Sequence, residues 1–362
     1  MGVRTPLRPN LTVGWRARTA MNRPRSTLSG EDMKEKAKIA IVGTGWWATY
    51  THIPALQAHA GVGEIVLCDS NAEKLSAAAA TYHITKTYTD LEAMLANEQV
   101  DGTVIATNHA SHYTLARMCL QHGLHVMIEK PLTLYAHHAR ELVELAQEQD
   151  RQIIMGYPYH FTAHVRRVRE VLQSGELGAI QLVNCFMASN ILNLLRGDDG
   201  SSRGARYAVH GPGDVYANPH LSGGGQGHLQ ITHSAGLMFY VTGLRARCVH
   251  ALMHNHGLPL DLVDAMLVEF EDGPLGVVSG TGNQDIHRRD GASEAIQVPA
   301  EERYPRFATA QNLVDVVSGQ ASNGSPVEAG WRTVELLDAA YHSAAKNGQV
   351  VFIQQLYEGN PV

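Results

Sequence analysis

The sequence predicts an α/β protein in which an N-terminal Rossmann domain with a doubly wound parallel sheet precedes an α+β domain with an open, mainly antiparallel sheet. From Lys38 to about Tyr157, short apolar runs alternate with helical stretches, the pattern of a parallel sheet covered by helices. Later strand-like runs follow one another through tight turns, which is typical of antiparallel strands. A length of 362 residues suits two domains, each with its own core.

The N-terminal elements follow one another as strand and helix, and right-handed crossovers between them give a doubly wound sheet. The predicted strands are 38–43, 64–69, 103–107, 125–130 and 152–157, and the predicted helices are 46–60, 71–83, 90–100, 111–122 and 134–149.

In the C-terminal half the regular alternation of strands and helices ends. A Gly-, Ser- and Asp-rich stretch over 197–227 is too long for an ordinary connection. Long loops of this type usually contribute to a functional site. The remaining predicted elements are helices at 161–174, 228–242, 306–319 and 328–346 and strands at 180–189, 247–254, 264–271, 273–282 and 350–353. The domains we predict are 37–157 and 158–362, after a disordered basic extension, 1–36.

Charge and composition exclude several classes of protein. The net charge is −6, but residues 1–36 carry +5 and the remainder −11, so the body lacks the basic surface that nucleic acid requires. No run of about 18 apolar residues offers a membrane span. The four cysteines are far apart and form no CxxC pair, which favours reduced thiols in a cytoplasmic protein. The 20 histidines lack the spacing of metal ligands, so we expect no metal.

A dinucleotide motif follows the first strand. Gly43, Thr44, Gly45, Trp46 and Trp47, with Ala48 after them, form a G-x-G-x-x-A turn that opens a helix. The first glycine permits the tight turn, the second lets the backbone approach a pyrophosphate, and the helix N-terminus meets the phosphates.

Asp69 ends the second strand, where a carboxylate accepts hydrogen bonds from the adenosine ribose. Alone it would be read as a turn residue, but with the glycines it predicts cofactor binding. A 2′-phosphate would meet like charge there, which favours NAD over NADP.

Candidate site residues follow the next strands, because a doubly wound sheet binds ligands outside the carboxyl ends of its strands. Thr107, Asn108 and His112 follow the strand at 103–107, and Glu129 and Lys130 end the next one. The alternative interpretation of Glu129 and Lys130 is a purely structural ion pair at the sheet edge. The following proline fixes the direction of Lys130, whose positive charge would lower the pKa of a bound hydroxyl.

These segments together resemble the Gfo/Idh/MocA family, the relatives of glucose-fructose oxidoreductase and inositol dehydrogenase. The resemblance runs from about Lys36 to the C-terminus, and its most specific element is Glu-Lys-Pro after the fifth strand. The segments that carry it are IVGTGWWA, Asp69, VIAT with His112, VMIEKPL, IMGYPYHF and SGGGQGHLQITHSAGL. It implies a second-domain sheet that faces the nicotinamide crevice and often another subunit, hence a homodimer or homotetramer.

The resemblance also implies a catalytic histidine after a glycine run, and this falls on His233. The acid that the family carries four residues earlier is Leu229 here. On an α-helix, Gln226, Gln230 and His233 share one face, so two amides would lie beside the imidazole and bind substrate hydroxyls. A helix that only packs in the core is the plain alternative.

Further contacts are predicted around these residues. Tyr157 matches a family stretch that carries cofactor contacts, and His160 replaces a basic substrate contact of that stretch. Tyr216 and His220, on the long loop before the glycines, would reach a sugar, with surface positions as the alternative.

The sequence therefore predicts NAD-dependent oxidation of a secondary alcohol on a sugar, cyclitol or sugar derivative. His233 would be the general base, since an imidazole titrates near neutral pH, and Lys130 would stabilise the alkoxide. Deglycosylation, elimination or epimerisation through a transient ketone uses the same residues. A non-catalytic sugar and NAD sensor is the third alternative, which the presence of both Lys130 and His233 disfavours.

Overall fold

The computed structural model describes residues 36–197, 209, 211–282 and 304–358. The predicted basic extension, except Lys36, and most of the loop between 197 and 211 lie outside the described residues. No described helix is both long and apolar enough to cross a membrane.

The N-terminal half folds into a six-stranded sheet with the order β3-β2-β1-β4-β5-β6, in which every pair of neighbours is parallel. This confirms the predicted doubly wound sheet. The two-residue edge strand β3 was not predicted, because two residues give no periodicity. The strands are β1 (Ala37–Val42), β2 (Val62–Cys68), β3 (Thr87–Tyr88), β4 (Gly102–Ile105), β5 (His125–Ile128) and β6 (Ile153–Met155).

Helices cover both faces of this sheet and bury its apolar strands. The first helix contains a π-helical segment, Ala48–His52, and continues as α1 (Ile53–Gln57). The others are α2 (Ala72–Tyr82), α3 (Leu91–Asn97), α4 (His112–Gln121) and α5 (Ala136–Glu148). Asn71 and Asp90 begin α2 and α3 by accepting hydrogen bonds from backbone N–H groups of the first turn.

The second sheet has five strands in the order β11-β8-β9-β10-β7. Its pairs are antiparallel except β10 with β7, so the predicted open, mainly antiparallel sheet is confirmed. The strands are β7 (Leu182–Ala188), β8 (Ala246–His254), β9 (Val263–Phe270), β10 (Leu275–Thr281) and β11 (Val351–Phe352).

The remaining helices pack on one face of this sheet and on the first half of the chain. They are α6 (Ala163–Gln173), α7 (Leu192–Leu195), α8 (Pro219–Ser222), α9 (Thr232–Thr242), α10 (Ala308–Val317) and α11 (Val327–Ala345). A second π-helical segment, Gly227–Ile231, precedes α9.

Helix α10, although late in the sequence, packs against the N-terminal sheet. Ala310 and Leu313 share a buried cluster with Ile39 and Val104 of that sheet. The segment between α10 and α11 covers the edge of β6, where the Met155 N–H donates to the Ser325 carbonyl at 2.8 Å. The C-terminal half thus completes the N-terminal sheet.

Candidate active site

A cavity of about 820 Å³ opens at the carboxyl ends of β1, β2, β4 and β5 and is closed on its other side by the C-terminal half. Nearly all of the sequence-predicted cofactor and catalytic residues meet there. Those lining it are Gly43, Gly45, Trp46, Trp47, Asp69, Thr107, Asn108, Glu129, Lys130, Tyr216, Gln230 and His233.

The glycine turn after β1 has the shape that a pyrophosphate requires. Gly43 has φ +91°, and a Cβ there would lie 2.5 Å from the carbonyl oxygen of Ala106. A Cβ on Gly45 would meet nothing within 4 Å, because it would point into the cavity. The Thr49 N–H donates to the Gly45 carbonyl at 3.0 Å, so the helix starts at this glycine. Open space over a helix N-terminus fits the phosphates of a dinucleotide.

Asp69 is held at the end of β2 by the glycine turn. The Thr44 N–H and hydroxyl donate to its Oδ2 at 2.7 and 3.0 Å, and the Asn71 N–H donates to its Oδ1 at 2.8 Å. Thr44 is fully buried and acts on the cavity through Asp69. The remaining lone pairs of the carboxylate suit ribose hydroxyls.

The end of the cavity at Asp69 carries further charges that the sequence did not reveal. Asp90, Glu92 and Lys74 line it beside Asp69, so acids outnumber bases three to one there. This balance disfavours a phosphate on the ribose.

Glu129 lies at the base of the cavity and fixes its surroundings. Its Oε1 accepts hydrogen bonds from Trp47 Nε1 and His52 Nε2, each at 2.9 Å. Burial alone would raise the pKa of Glu129, but the His52 hydrogen bond, together with the charge of Lys130, lowers it below its usual value. The carboxylate therefore stays charged and orients the Trp47 indole.

Lys130 joins the two halves of the chain. Its ammonium donates to the carbonyl oxygen of Leu229 at 2.9 Å. Burial lowers the pKa of Lys130 to about 8, against the opposing influence of Glu129. An ammonium has three N–H donors. Because Lys130 uses one of them on this carbonyl, the others can donate to a substrate oxygen.

His233 lies on α9 at the cavity wall with 9% of its surface exposed. Its Nδ1 has no hydrogen-bonding partner among the described residues. Burial, assisted by the charge of Lys130, lowers its pKa to about 3, so the expected near-neutral titration is not found. The imidazole is neutral at physiological pH, and its unprotonated nitrogen can accept a hydrogen bond.

Besides Thr44, five sequence-predicted residues are placed outside the cavity lining. His112 donates from Nδ1 to the Pro131 carbonyl at 2.8 Å and thus connects two loops. The Tyr157 hydroxyl lies in the core and forms a 3.1 Å hydrogen bond with the Thr232 hydroxyl. His160 is fully buried and stacks on Tyr240 with 4.0 Å between ring centroids. His220 is exposed on α8.

Gln226 is the fifth of these residues, and its amide is already engaged. It accepts from the Ser189 hydroxyl and donates to the Met187 carbonyl, both at 3.1 Å. The prediction placed Gln226 beside Gln230 and His233 on one helix face, but of these three only Gln230 and His233 line the cavity. The two bonds hold the Gln226 side chain against the end of β7.

Other cavity residues were missed by the sequence analysis. His109, directly after Asn108, donates from Nδ1 to the Ser222 carbonyl at 2.8 Å and packs against Tyr216, 5.7 Å between ring centroids. Burial and then the charge of Lys130 lower its pKa well below the usual value. Its position after a strand was the available signal. The others are Tyr159, Ser189, Asn190 and Tyr304, which no local motif marks.

No group of three or more His, Cys, Asp or Glu side chains among the described residues is arranged to hold a metal ion.

Comparison with known proteins supports the dinucleotide assignment. The family GFO_IDH_MocA, described as an oxidoreductase family with an NAD-binding Rossmann fold, matches residues 37–157. An uncharacterized oxidoreductase of Synechocystis is 33% identical over 145 residues, which are 40% of this chain and 39% of that protein. The D-apiose dehydrogenase of Paraburkholderia graminis is 25% identical over 353 residues, covering 89% of this chain and 91% of that protein.

A solved structure shares the whole fold. It is scyllo-inositol dehydrogenase from Lactobacillus casei with bound NAD(H) and scyllo-inositol, with a TM-score of 0.69 and 16% identity. The likeness covers 88% of this chain and 99% of that one.

Proposed function

We propose that this chain is a member of the Gfo/Idh/MocA family of oxidoreductases and an NAD-dependent dehydrogenase for a secondary alcohol of a sugar, cyclitol or sugar derivative. The observation that carries the proposal is that Lys130 and His233 line the same cavity as the glycine turn and Asp69. A reactive lysine and a neutral imidazole thus share one space with a dinucleotide cradle.

The chain supplies proton handling and charge stabilisation. Bound NAD supplies the hydride acceptor, at C4 of its nicotinamide. His233, neutral and buried, takes the hydroxyl proton of the substrate, and the Lys130 ammonium stabilises the oxygen as negative charge develops. The substrate loses this proton and the carbinol hydride and becomes a ketone.

We further propose NAD rather than NADP as the cofactor. Asp69 accepts the ribose hydroxyls, and the acidic surroundings of that end, with Asp90 and Glu92 beside it, repel a 2′-phosphate.

The substrate end of the cavity suits a polyhydroxylated ring. Gln230, Ser189 and Asn190 bring amides and a hydroxyl to the wall, and such groups pair with sugar hydroxyls. Tyr159 and Tyr304, 5.3 Å apart between ring centroids, bring aromatic surface to the same wall. The relatives named as D-apiose and scyllo-inositol dehydrogenases have substrates of this kind.

The active form that we propose is a homodimer or homotetramer, assembled through the outer face of the second sheet. Leu182, Phe186, Leu267 and Leu275 lie on neighbouring strands of this sheet and are 57–67% exposed. An apolar patch of this kind on a sheet face is typical of a subunit interface.

Purified protein with NAD, screened against sugars, cyclitols and glycosides for NADH absorbance and product mass, tests the function. Stoichiometric NADH and a ketone are expected. A glycoside consumed without net NADH would instead assign transient oxidation, and binding without turnover of any compound would assign a sensor.

A further inference from the structure

The residues GGGQG at 223–227 are held by a buried carboxylate that lies outside the cavity. Asp261, just before β9, is 8% exposed. Its Oδ1 accepts from the Gly225 N–H at 2.7 Å and from the Tyr341 hydroxyl at 3.0 Å. Its Oδ2 accepts from the Gly227 N–H at 2.8 Å, and its main-chain oxygen accepts from the Gln226 N–H at 2.9 Å. Three consecutive N–H groups thus end on one residue.

The same contacts explain the glycines. A Cβ on Gly225 would lie 2.0 Å from the Asp261 carbonyl oxygen, and a Cβ on Gly224 or Gly227 would lie 2.0 or 2.5 Å from the Tyr341 hydroxyl. Only hydrogen fits at these positions, so the turn is shaped by Asp261 and Tyr341.

The turn leads directly into the reacting side chains. The Leu229 N–H donates to the Gly225 carbonyl at 2.9 Å, and the Leu229 carbonyl accepts from Lys130 at 2.9 Å. His233 follows four residues later. A rotation of the turn would therefore move the acceptor of Lys130 and the imidazole together.

We infer that Asp261 is a positioning residue, which holds the glycine turn so that the Leu229 carbonyl meets Lys130 and His233 faces the substrate. The inference rests on the proposed function, since that assigns the reacting roles of Lys130 and His233. Asp261 itself does not line the cavity and touches neither substrate nor cofactor.

A second carboxyl in the same cluster provides a matched control. Asp264 is 1% exposed and faces the Asp261 carboxylate. Burial, with the negative charge of Asp261, raises the pKa of Asp264 to about 10, so it is a neutral acid. Asp264→Asn exchanges one neutral group for another of the same shape and breaks none of the bonds to the turn.

The test compares Asp261→Asn with Asp264→Asn. An amide cannot accept on both atoms, so Asp261→Asn loses at least one bond to the turn. We expect kcat to fall by about 10- to 100-fold, as small misplacements of reacting groups do, with the KM for NAD unchanged. Asp264→Asn should keep the kcat of the wild type. Equal kcat in folded Asp261→Asn and wild type, or equal losses in both variants, would overturn the inference.

A readout without turnover separates this inference from the proposed function. The pH dependence of Lys130 acetylation by acetic anhydride, followed by mass spectrometry, gives the Lys130 pKa with no substrate. Loss of the Leu229 acceptor disfavours the ammonium, so this pKa should be lower in Asp261→Asn than in wild type and unchanged in Asp264→Asn. The titratable groups that face Lys130 are Glu129, His109, His228 and His233. Asp261→Asn also removes a negative charge that raises the pKa of His228, whereas Asp264→Asn leaves that charge in place.

If Asp261→Asn does not fold, Tyr341→Phe removes only the hydroxyl donor to Oδ1 and should shift the Lys130 pKa in the same direction by less. An unshifted value there would refute the positioning role, whereas absence of turnover in the wild type would refute only the proposed function.

Discussion

The Lys130 ammonium donates its 2.9 Å hydrogen bond to the main-chain oxygen of Leu229, the residue at which the resemblance to the Gfo/Idh/MocA family implies an acid. A carbonyl has no net charge, so it compensates the desolvation of an ammonium less than a carboxylate would. The lowered pKa of Lys130, about 8, agrees with this partner.

Replacing Lys130 with Met should lower turnover by about 1,000-fold, because a preorganised positive charge at the developing alkoxide is lost. NAD affinity, measured by fluorescence titration, should stay near that of the wild type. Lys346→Met, which removes an exposed charge at the end of α11, is the matched control and should keep full activity. Activity retained in Lys130→Met would remove the lysine from the mechanism.

The pH profile of kcat/KM should show one titration near neutrality, in which activity is lost on the alkaline side. The pKa of Lys130 is lowered from 10.5 to about 8, so its ammonium is lost as the pH rises through 8. The pKa of His233 is lowered to about 3, so the base is already neutral throughout the range above. We expect kcat/KM to be level between about pH 5 and 7 and to fall above about pH 8. A continued tenfold rise per pH unit above 8 would contradict a required ammonium.

Asp69→Asn should raise the KM for NAD by about 10- to 100-fold, since a charged acceptor for the ribose is replaced by a neutral amide. The preference for NAD over NADP should fall at the same time, because the repulsion of a 2′-phosphate is reduced. Initial rates with both cofactors measure the two effects. Glu73→Gln, exposed on neighbouring α2, should change neither ratio. An unaltered cofactor ratio in Asp69→Asn would exclude Asp69 from ribose recognition.

Two glycine substitutions should separate binding from stability. A Cβ at Gly45 meets no atom within 4 Å, so Gly45→Ala should unfold like wild type yet weaken NAD binding by at least about tenfold. A Cβ at Gly225 would lie 2.0 Å from a backbone oxygen, so Gly225→Ala should lower the free energy of unfolding by about 3 kcal/mol. Urea unfolding and NAD titration of both variants check this. The reverse pattern would refute the cradle at Gly45.

Charges on the outer face of the second sheet should break the assembly. Phe186→Glu and Leu267→Lys place polar groups at positions 64% and 58% exposed, so a partner would bury an unpaired charge. Light scattering after size exclusion should show monomers. Leu177→Glu, 69% exposed between α6 and β7, is the control and should retain the wild-type mass. A monomeric wild-type protein would contradict the assembly directly.

The sequence placed the predicted cofactor residues at one edge of the sheet because the signals for them are local. Gly43, Gly45 and Asp69 lie at strand ends, and the strand order of a doubly wound sheet brings those ends together. Lys130 was predicted from the same strand-end position, and the proline that follows it, Pro131, supported that prediction.

The substrate half was less predictable because it depends on packing. His160 and Tyr157 are polar aromatic residues, and such residues occur both in protein cores and at ligand-binding sites. The local sequence does not show which of these two roles they have. The prediction for Gln226 was wrong for another reason, since its amide is engaged by Ser189 and the Met187 carbonyl, a long-range contact that helix periodicity does not show. Tyr304 and Asn190 reach the cavity only through long-range folding.

Helix α10 and the segment that covers β6 give the chain a particular mode of unfolding. One apolar face of the first sheet is buried by residues that come after the main strands of the second sheet in the sequence, such as Leu313. Residues 37–157 produced alone would therefore present that face to water and aggregate. The two halves consequently share one cooperative transition, and nascent chains remain vulnerable until nearly the whole polypeptide has been synthesised.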